Sequence, residues 1–202
     1  MRERIVRAAV EVIAERGAVN ATTKEIARAA GVSEGSLYNH FEGKADLIAT
    51  AFRDGLASGI RRALGDLRAS AGKGTVVGNV ERLARAAIAH YQRLLPAIGG
   101  AFADPDVLVS IQGKMSRSAA GPLRANQAFA GYLEDERTRG RLASEVQPAS
   151  IASAVLGACL QYAFVSLLVG EAVLAAEPTL MPPDPATYAR SVVRSILAGW
   201  TV

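Results

Sequence analysis

Hydrophobic residues recur along this chain with the period of a helix, and no segment alternates strictly between apolar and polar positions. Over the first 60 residues the pattern predicts four closely spaced helices. Ile5, Ala8, Ala9, Val12 and Ile13 fall on one face of the first, and Gly17 supplies the left-handed residue that ends it. Thr22-Thr23-Lys24-Glu25 reads as a capping box, in which the threonine hydroxyl takes an N3 amide and the glutamate reaches back to the cap. Ile26, Ala27 and Ala30 form the apolar face of this second helix, and Gly31 ends it. Ser33 caps a short third helix running through Asn39, with Leu37 pointing inward. A fourth starts at Lys44 and carries Leu47, Ile48, Ala51, Phe52 and Leu56 on one side.

Further on, Ser70-Ala71-Gly72-Lys73-Gly74 predicts a flexible break. Val80, Leu83, Ala84, Ala87, Ile88, Tyr91, Leu94 and Leu95 then make a fifth helix, expected to close at Pro96. Asp104-Pro105 opens a sixth towards Arg117. Gly121-Pro122 opens a seventh with Leu123, Phe129, Ala130 and Leu133 inside, and Gln147-Pro148 opens an eighth. Four prolines between Glu177 and Pro185 mark a loop, after which a ninth helix runs from about Ala186 to Trp200. The expected fold class is all-α, with about nine helices. Composition agrees, since alanine, the strongest helix former, contributes 39 of the 202 residues.

A single cysteine, Cys159, excludes a disulfide framework, and two histidines, His40 and His90, are too few for a Cys/His zinc cluster. No metal or cofactor is expected. The N-terminus runs straight into the amphipathic pattern with no apolar signal segment, so a reducing cytoplasm is the expected location. The formal charge of +4 and pI near 9.5 hint at an anionic partner. Location weakens the hint: residues 1–60 hold eight basic and eight acidic side chains, so the whole surplus lies beyond them. Any nucleic-acid argument rests on motif and geometry.

That motif lies between Thr22 and Phe41: a capped helix, the turn Ala30-Gly31-Val32-Ser33, and a short second helix. It has the spacing of a helix–turn–helix. Glu34, Gly35, Ser36 and Asn39 face away from Leu37, and such small or polar residues let a helix sit deep in the major groove. An ordinary helical hairpin shows the same bare spacing.

The residues go further than spacing. Ile5, Ala8-Ala9, Ala14-Glu15-Arg16-Gly17, Ala21-Thr22-Thr23, Ile26-Ala27, Ala30-Gly31-Val32-Ser33, Gly35 to Phe41, Lys44 and Leu47 together resemble the N-terminal domain of the TetR family of transcriptional regulators, over residues 2–56. Ile13 stands where that family usually has phenylalanine, and Glu34 where a basic residue is common. The resemblance implies a DNA-binding domain over residues 1–50, with the helix–turn–helix at 22–41, and a ligand-binding and dimerisation domain over 51–202. Carried over by position, it implies DNA contacts from Thr22, Thr23, Lys24, Ser33, Glu34, Gly35, Ser36, Tyr38, Asn39, His40 and Lys44. Thr23, Tyr38, His40 and Lys44 would hold phosphate. Base reading would fall to Ser36, Asn39 and Glu34, the last as an acceptor from cytosine N4. Glu34 also has a purely structural reading, because an acid in a first turn complements the helix dipole.

Val146 to Gly170 is 25 residues without a charge, long enough to cross a membrane. Ser153, Gln161 and Ser166 interrupt the stretch and favour a soluble helix buried on two sides, one face on its own domain and one on a second subunit. Small residues Ser153, Ala154, Gly157 and Ala158 would allow close approach, and Val192, Val193, Ile196 and Leu197 of the last helix would complete a four-helix dimer bundle, as the resemblance also implies. A two-fold dimer calls for a roughly palindromic operator. Ligand candidates are Tyr91, Phe102, Met115, Phe129, Tyr132, Cys159 and Tyr162, with Asn126 and Gln161 as polar anchors. This wall, mostly apolar, suits a small hydrophobic or aromatic effector.

The expected function is therefore a ligand-responsive repressor: a homodimer on double-stranded DNA, released by a small molecule, not enzymatic and not in a membrane. A helical membrane-associated protein or a non-catalytic dimerisation module is the alternative. Gly72, Gly74 and Gly78 superficially resemble a dinucleotide loop, but a helix precedes them where a strand is required. No Gly-x-Ser-x-Gly elbow occurs.

Overall fold

A computed structural model of the chain describes residues 1–116, 121–179 and 181–201. Among these the secondary structure is helical, apart from one isolated antiparallel bridge between Leu142 and Thr201. The helices are α1 (Arg2–Asn20), α2 (Thr23–Ala29), α3 (Glu34–Tyr38), α4 (Lys44–Thr50), α5 (Ser58–Ala69), α6 (Val76–Gly99), α7 (Pro105–Ser116), α8 (Pro122–Thr138), α9 (Pro148–Val169), α10 (Glu171–Ala176) and α11 (Pro185–Leu197). They form two compact units: Met1–Ser58 with Arg93–Gly121, and Gly59–Gln92 with Pro122–Val202. The first unit thus recruits a later segment to the N-terminal helices, which no break at residue 50 would suggest.

In the first unit, Ile5, Ile13, Ile26, Leu37, Leu47 and Ile48 are wholly buried, and Ala97, Ala101, Val107 and Ile111 close the same core. Gly17 takes φ 75°, as expected, but helical turns resume beyond it to Asn20. Asp104 caps α7 by accepting the amides of Asp106 and Val107 at 3.1 and 3.2 Å. The expected run of that helix to Arg117 lies outside the described residues, as does the Leu56 side chain.

The expected single fourth helix is interrupted. α4 ends at Thr50, Ala51–Leu56 is π-helical, and α5 follows separately. Two features accompany the interruption, one local and one from α1. Buried Thr50 bonds back to Asp46 O at 2.8 Å, which bends helices. Gly55 lies so close to α1 that a Cβ there would fall 2.2 Å from Val10 Cγ2. Gly55 therefore permits tight packing, whereas Gly65 faces open space.

In the second unit α9 packs between α8 and α11, around Phe129, Tyr132, Leu133, Val155, Cys159, Tyr162 and Val193. The segment Ser70–Gly74 is not a loose break. Gly72 N–H donates to Glu136 Oε1 at 3.0 Å, Asn79 Nδ2 donates to Lys73 O at 2.9 Å, and Arg141 donates to Gly74 O. Glu136 itself is fully buried and is held at 3.1 Å by Arg141 Nε.

Other expectations are corrected here. Pro96 does not close its helix: α6 continues to Gly99 and passes into a 3-10 turn at Gly100–Ala103, because packing of Ala97 and Ala101 into the core outweighs one lost amide bond. Leu123 is 77% exposed at the first turn of α8 rather than inside. The short α10 carries no signal in the hydrophobic pattern. α11 starts at Pro185, where Asp184 accepts from the amides of Ala186 and Thr187, and ends at Leu197 rather than Trp200.

Candidate nucleic-acid interface

The hairpin of α2 and α3 is built by local chemistry. Thr22 Oγ1 accepts from Glu25 N at 3.2 Å while Glu25 Oε2 accepts from Thr22 N at 3.3 Å, completing the capping box. Arg16 steadies Glu25 with an ion pair of 2.8 Å. At the other end Gly31 takes φ 63°, and the amides of Gly31 and Val32 return to Arg28 O and Ala27 O, each at 3.0 Å. This is a Schellman-type closure, and only a residue at ease in the left-handed region serves it well. Ser33 then caps α3 through the Ser36 amide at 3.1 Å.

Leu37 and Phe41 anchor α3 and its exit into the core. The opposite side of the hairpin is open: Thr22, Lys24, Ser33, Glu34, Gly35, Tyr38, Asn39 and His40 are exposed, Thr23, Ser36 and Lys44 half-buried. All eleven residues expected to touch DNA thus lie at or near the surface of one unit. On α3 itself the outer positions Gly35, Ser36 and Asn39 are small or polar, with Tyr38 and His40 exposed beside them.

Three polar links were not visible in the sequence. Thr23 Oγ1 donates to Glu34 Oε1 at 2.5 Å, and Tyr38 OH donates to Thr23 Oγ1 at 3.4 Å. Lys44 Nζ donates to Val19 O at 2.6 Å. Lys44 is thus a strap from α4 to the carbonyl end of α1, where a cation complements the helix dipole. Arg2 lies over the Phe41 ring at 5.3 Å, and Arg4 reaches Gly31 O at 3.5 Å. The sequence carried no signal for these, since Arg2 and Arg4, two positions apart, fall on different sides of the first helix.

The residues expected to bind a ligand are divided. Phe102 and Met115 belong to the first unit and the other seven to the second. Phe102 is 65% exposed and Gln161 is exposed, so neither lines an interior wall. Phe129, Tyr132, Cys159 and Tyr162 are core, and the polar tips are satisfied inside it. Asn79 Nδ2 donates to Tyr132 OH at 2.9 Å, Cys159 Sγ–H to Ala84 O at 3.5 Å, and Tyr162 OH to Pro183 O at 2.7 Å. Asn126 Oδ1 accepts from Ser153 Oγ at 3.2 Å. Tyr91 is half-buried. Burial pushes the Tyr91 and Tyr132 phenols and the Cys159 thiol up to about 12, so all three stay protonated and unreactive at neutral pH. A half-open cleft of about 440 Å³ lies elsewhere, lined by Gly74, Thr75, Val76, Val77, Arg141 and Thr201. Among the described residues no cluster of three or more His, Cys, Asp or Glu could hold a metal ion.

On α9, Ser153, Ala154, Gly157, Leu160, Gln161, Phe164, Leu167 and Leu168 form a face open to solvent, and Ala158 is half-buried. On α11, Val192 and Ile196 are half-buried, but Val193 and Leu197 are fully turned into their own unit and are not free for a partner. The helix Pro148–Val169 is long and apolar enough to cross a membrane, and a third of its most apolar stretch is buried in its own unit.

Residues 5–51 match the model of the bacterial regulatory proteins of the tetR family. A 67-residue stretch is 37% identical to the fatty acid metabolism regulator protein of Bacillus subtilis (strain 168), covering 33% of this chain and 34% of that one. The match thus spans about a third of that relative. Over its length the chain is similar to the structure of Salmonella enterica GusR (TM-score 0.67, 22% identity, 97% of this chain and 94% of that one). It is similar too to the transcriptional regulator FadR from Bacillus subtilis in complex with stearoyl-CoA (TM-score 0.64, 19% identity, 98% and 99%). At these identities the structural likeness establishes the fold alone, and the family match speaks for residues 5–51. Residues 5–51 thus match the N-terminal domain of the bacterial regulatory proteins of the tetR family, in a chain whose fold is similar over its length to that of GusR.

Proposed function

We propose that this protein is a dimeric, ligand-released transcriptional repressor of the cytoplasm, with residues 1–50 on DNA and residues 51–202 serving dimer and effector. The observation that carries the reading is the outer face of α3. Gly35, Ser36 and Asn39 present only small or polar groups, while Tyr38, 51% exposed, stands at the edge with its phenol on Thr23. A helix so shaped fits the major groove, with hydroxyls beside it for phosphate. Asn39 suits adenine by two hydrogen bonds, and Tyr38 and His40 suit backbone oxygens.

The second copy is supported by the bare apolar face of α9. Leu160, Phe164, Leu167 and Leu168, each 41–67% exposed, line up beside Gly157 and Ala154. A soluble protein rarely leaves such a stripe to water. The stearoyl-CoA held by the Bacillus subtilis FadR structure supports an effector with a long apolar part. Tyr91 and Asn126 are the half-buried residues a ligand would reach with least disturbance.

A mobility shift on the DNA upstream of the protein's own gene tests the reading, repeated with Tyr38→Phe, Asn39→Ala and a panel of acyl-CoAs. A specific shift is expected, weakened on all sequences by Tyr38→Phe and relaxed at one or two base positions by Asn39→Ala. Failure to retard any duplex would overturn it.

A further inference from the structure

Glu34 opens α3, and its carboxylate is already engaged: Thr23 Oγ1 donates to Glu34 Oε1 at 2.5 Å, and Tyr38 OH donates to Thr23 Oγ1 at 3.4 Å. The three side chains form a chain across the mouth of the hairpin. A threonine hydroxyl has one proton to give. While Glu34 holds it, a phosphate oxygen cannot. The neighbouring acid of the hairpin, Glu25, is balanced by Arg16 at 2.8 Å, whereas among the described residues no lysine or arginine forms an ion pair with Glu34. Its charge therefore has no side-chain cation paired with it at the place where the duplex backbone would lie.

Resting on the reading of Thr23 and Tyr38 as phosphate contacts, we propose that Glu34 sets the affinity of this site. Its carboxylate takes the place of a DNA phosphate on Thr23 in the free protein. On docking it must release the hydroxyl and remain as a like charge beside the backbone. Glu34 then lowers affinity for every sequence, so that only duplexes with good base contacts are held. The ratio of affinities between sequences is unchanged, but at a given protein concentration duplexes without good base contacts fall below the level at which they are occupied. This differs from a role in reading cytosine, where losing the carboxylate would harm only sequences carrying that base.

Glu34→Gln isolates the charge, since the amide oxygen still accepts from Thr23. The test is a fluorescence-anisotropy titration of labelled duplexes, one from upstream of the gene and several of random sequence, at about 50 and about 200 mM salt. Glu34→Gln is expected to tighten binding to all of them by about threefold per protomer and about tenfold for a dimer on two half-sites. In a Thr23→Val background the gain should fall to less than half, because the hydroxyl that Glu34 occupies is gone. Unchanged or weaker binding by Glu34→Gln on the random duplexes overturns the inference. So does a change confined to duplexes with one base at one position, which would make Glu34 a reader. If neither protein binds any duplex while both remain folded by circular dichroism, the DNA-binding reading falls and this inference with it.

Discussion

Lys114 near the end of α7 closes an ion pair of 2.5 Å on Asp46 in the first turn of α4. Both side chains are mostly shielded from water, at 19% and 23% exposure, and the second oxygen of Asp46 accepts the Glu42 amide at 3.2 Å. One carboxylate therefore fixes the turn that follows α3 to a helix more than sixty residues further along the chain. Lys114→Met should destabilise the first unit by about 1–2 kcal/mol, and Asp46→Ala by about 1 kcal/mol more, since it also frees the turn. Urea unfolding of both variants decides this. Equal midpoints for wild type and Lys114→Met would mean that solvent already screens the pair.

Gly55 makes a second prediction, from sterics alone. A methyl group there would sit 2.2 Å from Val10 Cγ2, and valine has no flexible end to swing away. Gly55→Ala should cost about 1–3 kcal/mol even though alanine is the better helix former. Shortening the opposing side chain should recover most of the loss, so Val10→Ala with Gly55→Ala is expected to be more stable than Gly55→Ala alone. Thermal melts of wild type, single and double variant test it, and a double variant no better than the single would place the strain elsewhere.

The cap of α2 gives a pH dependence whose sign is fixed. The Thr22 hydroxyl, first of all, and then the Thr22 amide and the Arg16 and Arg28 charges hold the Glu25 carboxyl below its ordinary range. A carboxyl lowered by folding adds stability that is present above its unfolded pKa and lost as pH falls through its folded one. Stability should therefore decline on acidification below the ordinary glutamate range, and less steeply in Glu25→Gln. Denaturant midpoints from neutral pH down to the acid limb compare the two slopes. Parallel curves would remove Glu25 from the acid response.

What was legible in the chain was what local chemistry decides. Capping at Thr22 and Ser33, the stop at Gly31 and the inward Leu37 each depend on residues within a few positions, and each has the form the sequence predicts. What was not legible depends on residues far apart in sequence. Pro96 punctuates a helix by every local rule, yet the core beneath Ala97 and Ala101 carries the helix past it. The π-helical stretch at Ala51–Leu56 owes some of its placement to Val10. Gln161 and Cys159 sit two positions apart on an almost uniformly apolar helix, where periodicity cannot say which face is inward; the structure exposes one and buries the other. On α11 the apolar stripe is clear, but Val193 and Leu197 within it face the unit's own core, which periodicity cannot tell from a subunit contact. In the hairpin, the exposure of its polar positions followed from the local pattern, but the hold of Glu34 on Thr23 and the strap from Lys44 to Val19 O did not.

The face of α9 proposed for a dimer yields the last prediction, and the structure makes it cleaner than sequence could. Gly157 is exposed, and a Cβ built on it meets nothing within 4 Å in its own chain. Gly157→Glu should therefore fold as a single subunit without penalty, since glutamate is also the better helix former. In a dimer packed through α9 the same carboxylate would meet its symmetry mate in a dry contact, where an unpaired charge costs several kcal/mol. The variant is expected to sediment as a folded monomer and to lose tight operator binding, since one half-site alone supplies too few contacts. Val193→Glu is the control: that side chain is wholly buried in its own unit, so the charge should unfold the chain rather than separate the copies of a dimer. Sedimentation, circular dichroism and operator titration distinguish the two outcomes. A Gly157→Glu protein that stays a dimer with full DNA affinity would put the interface on another face.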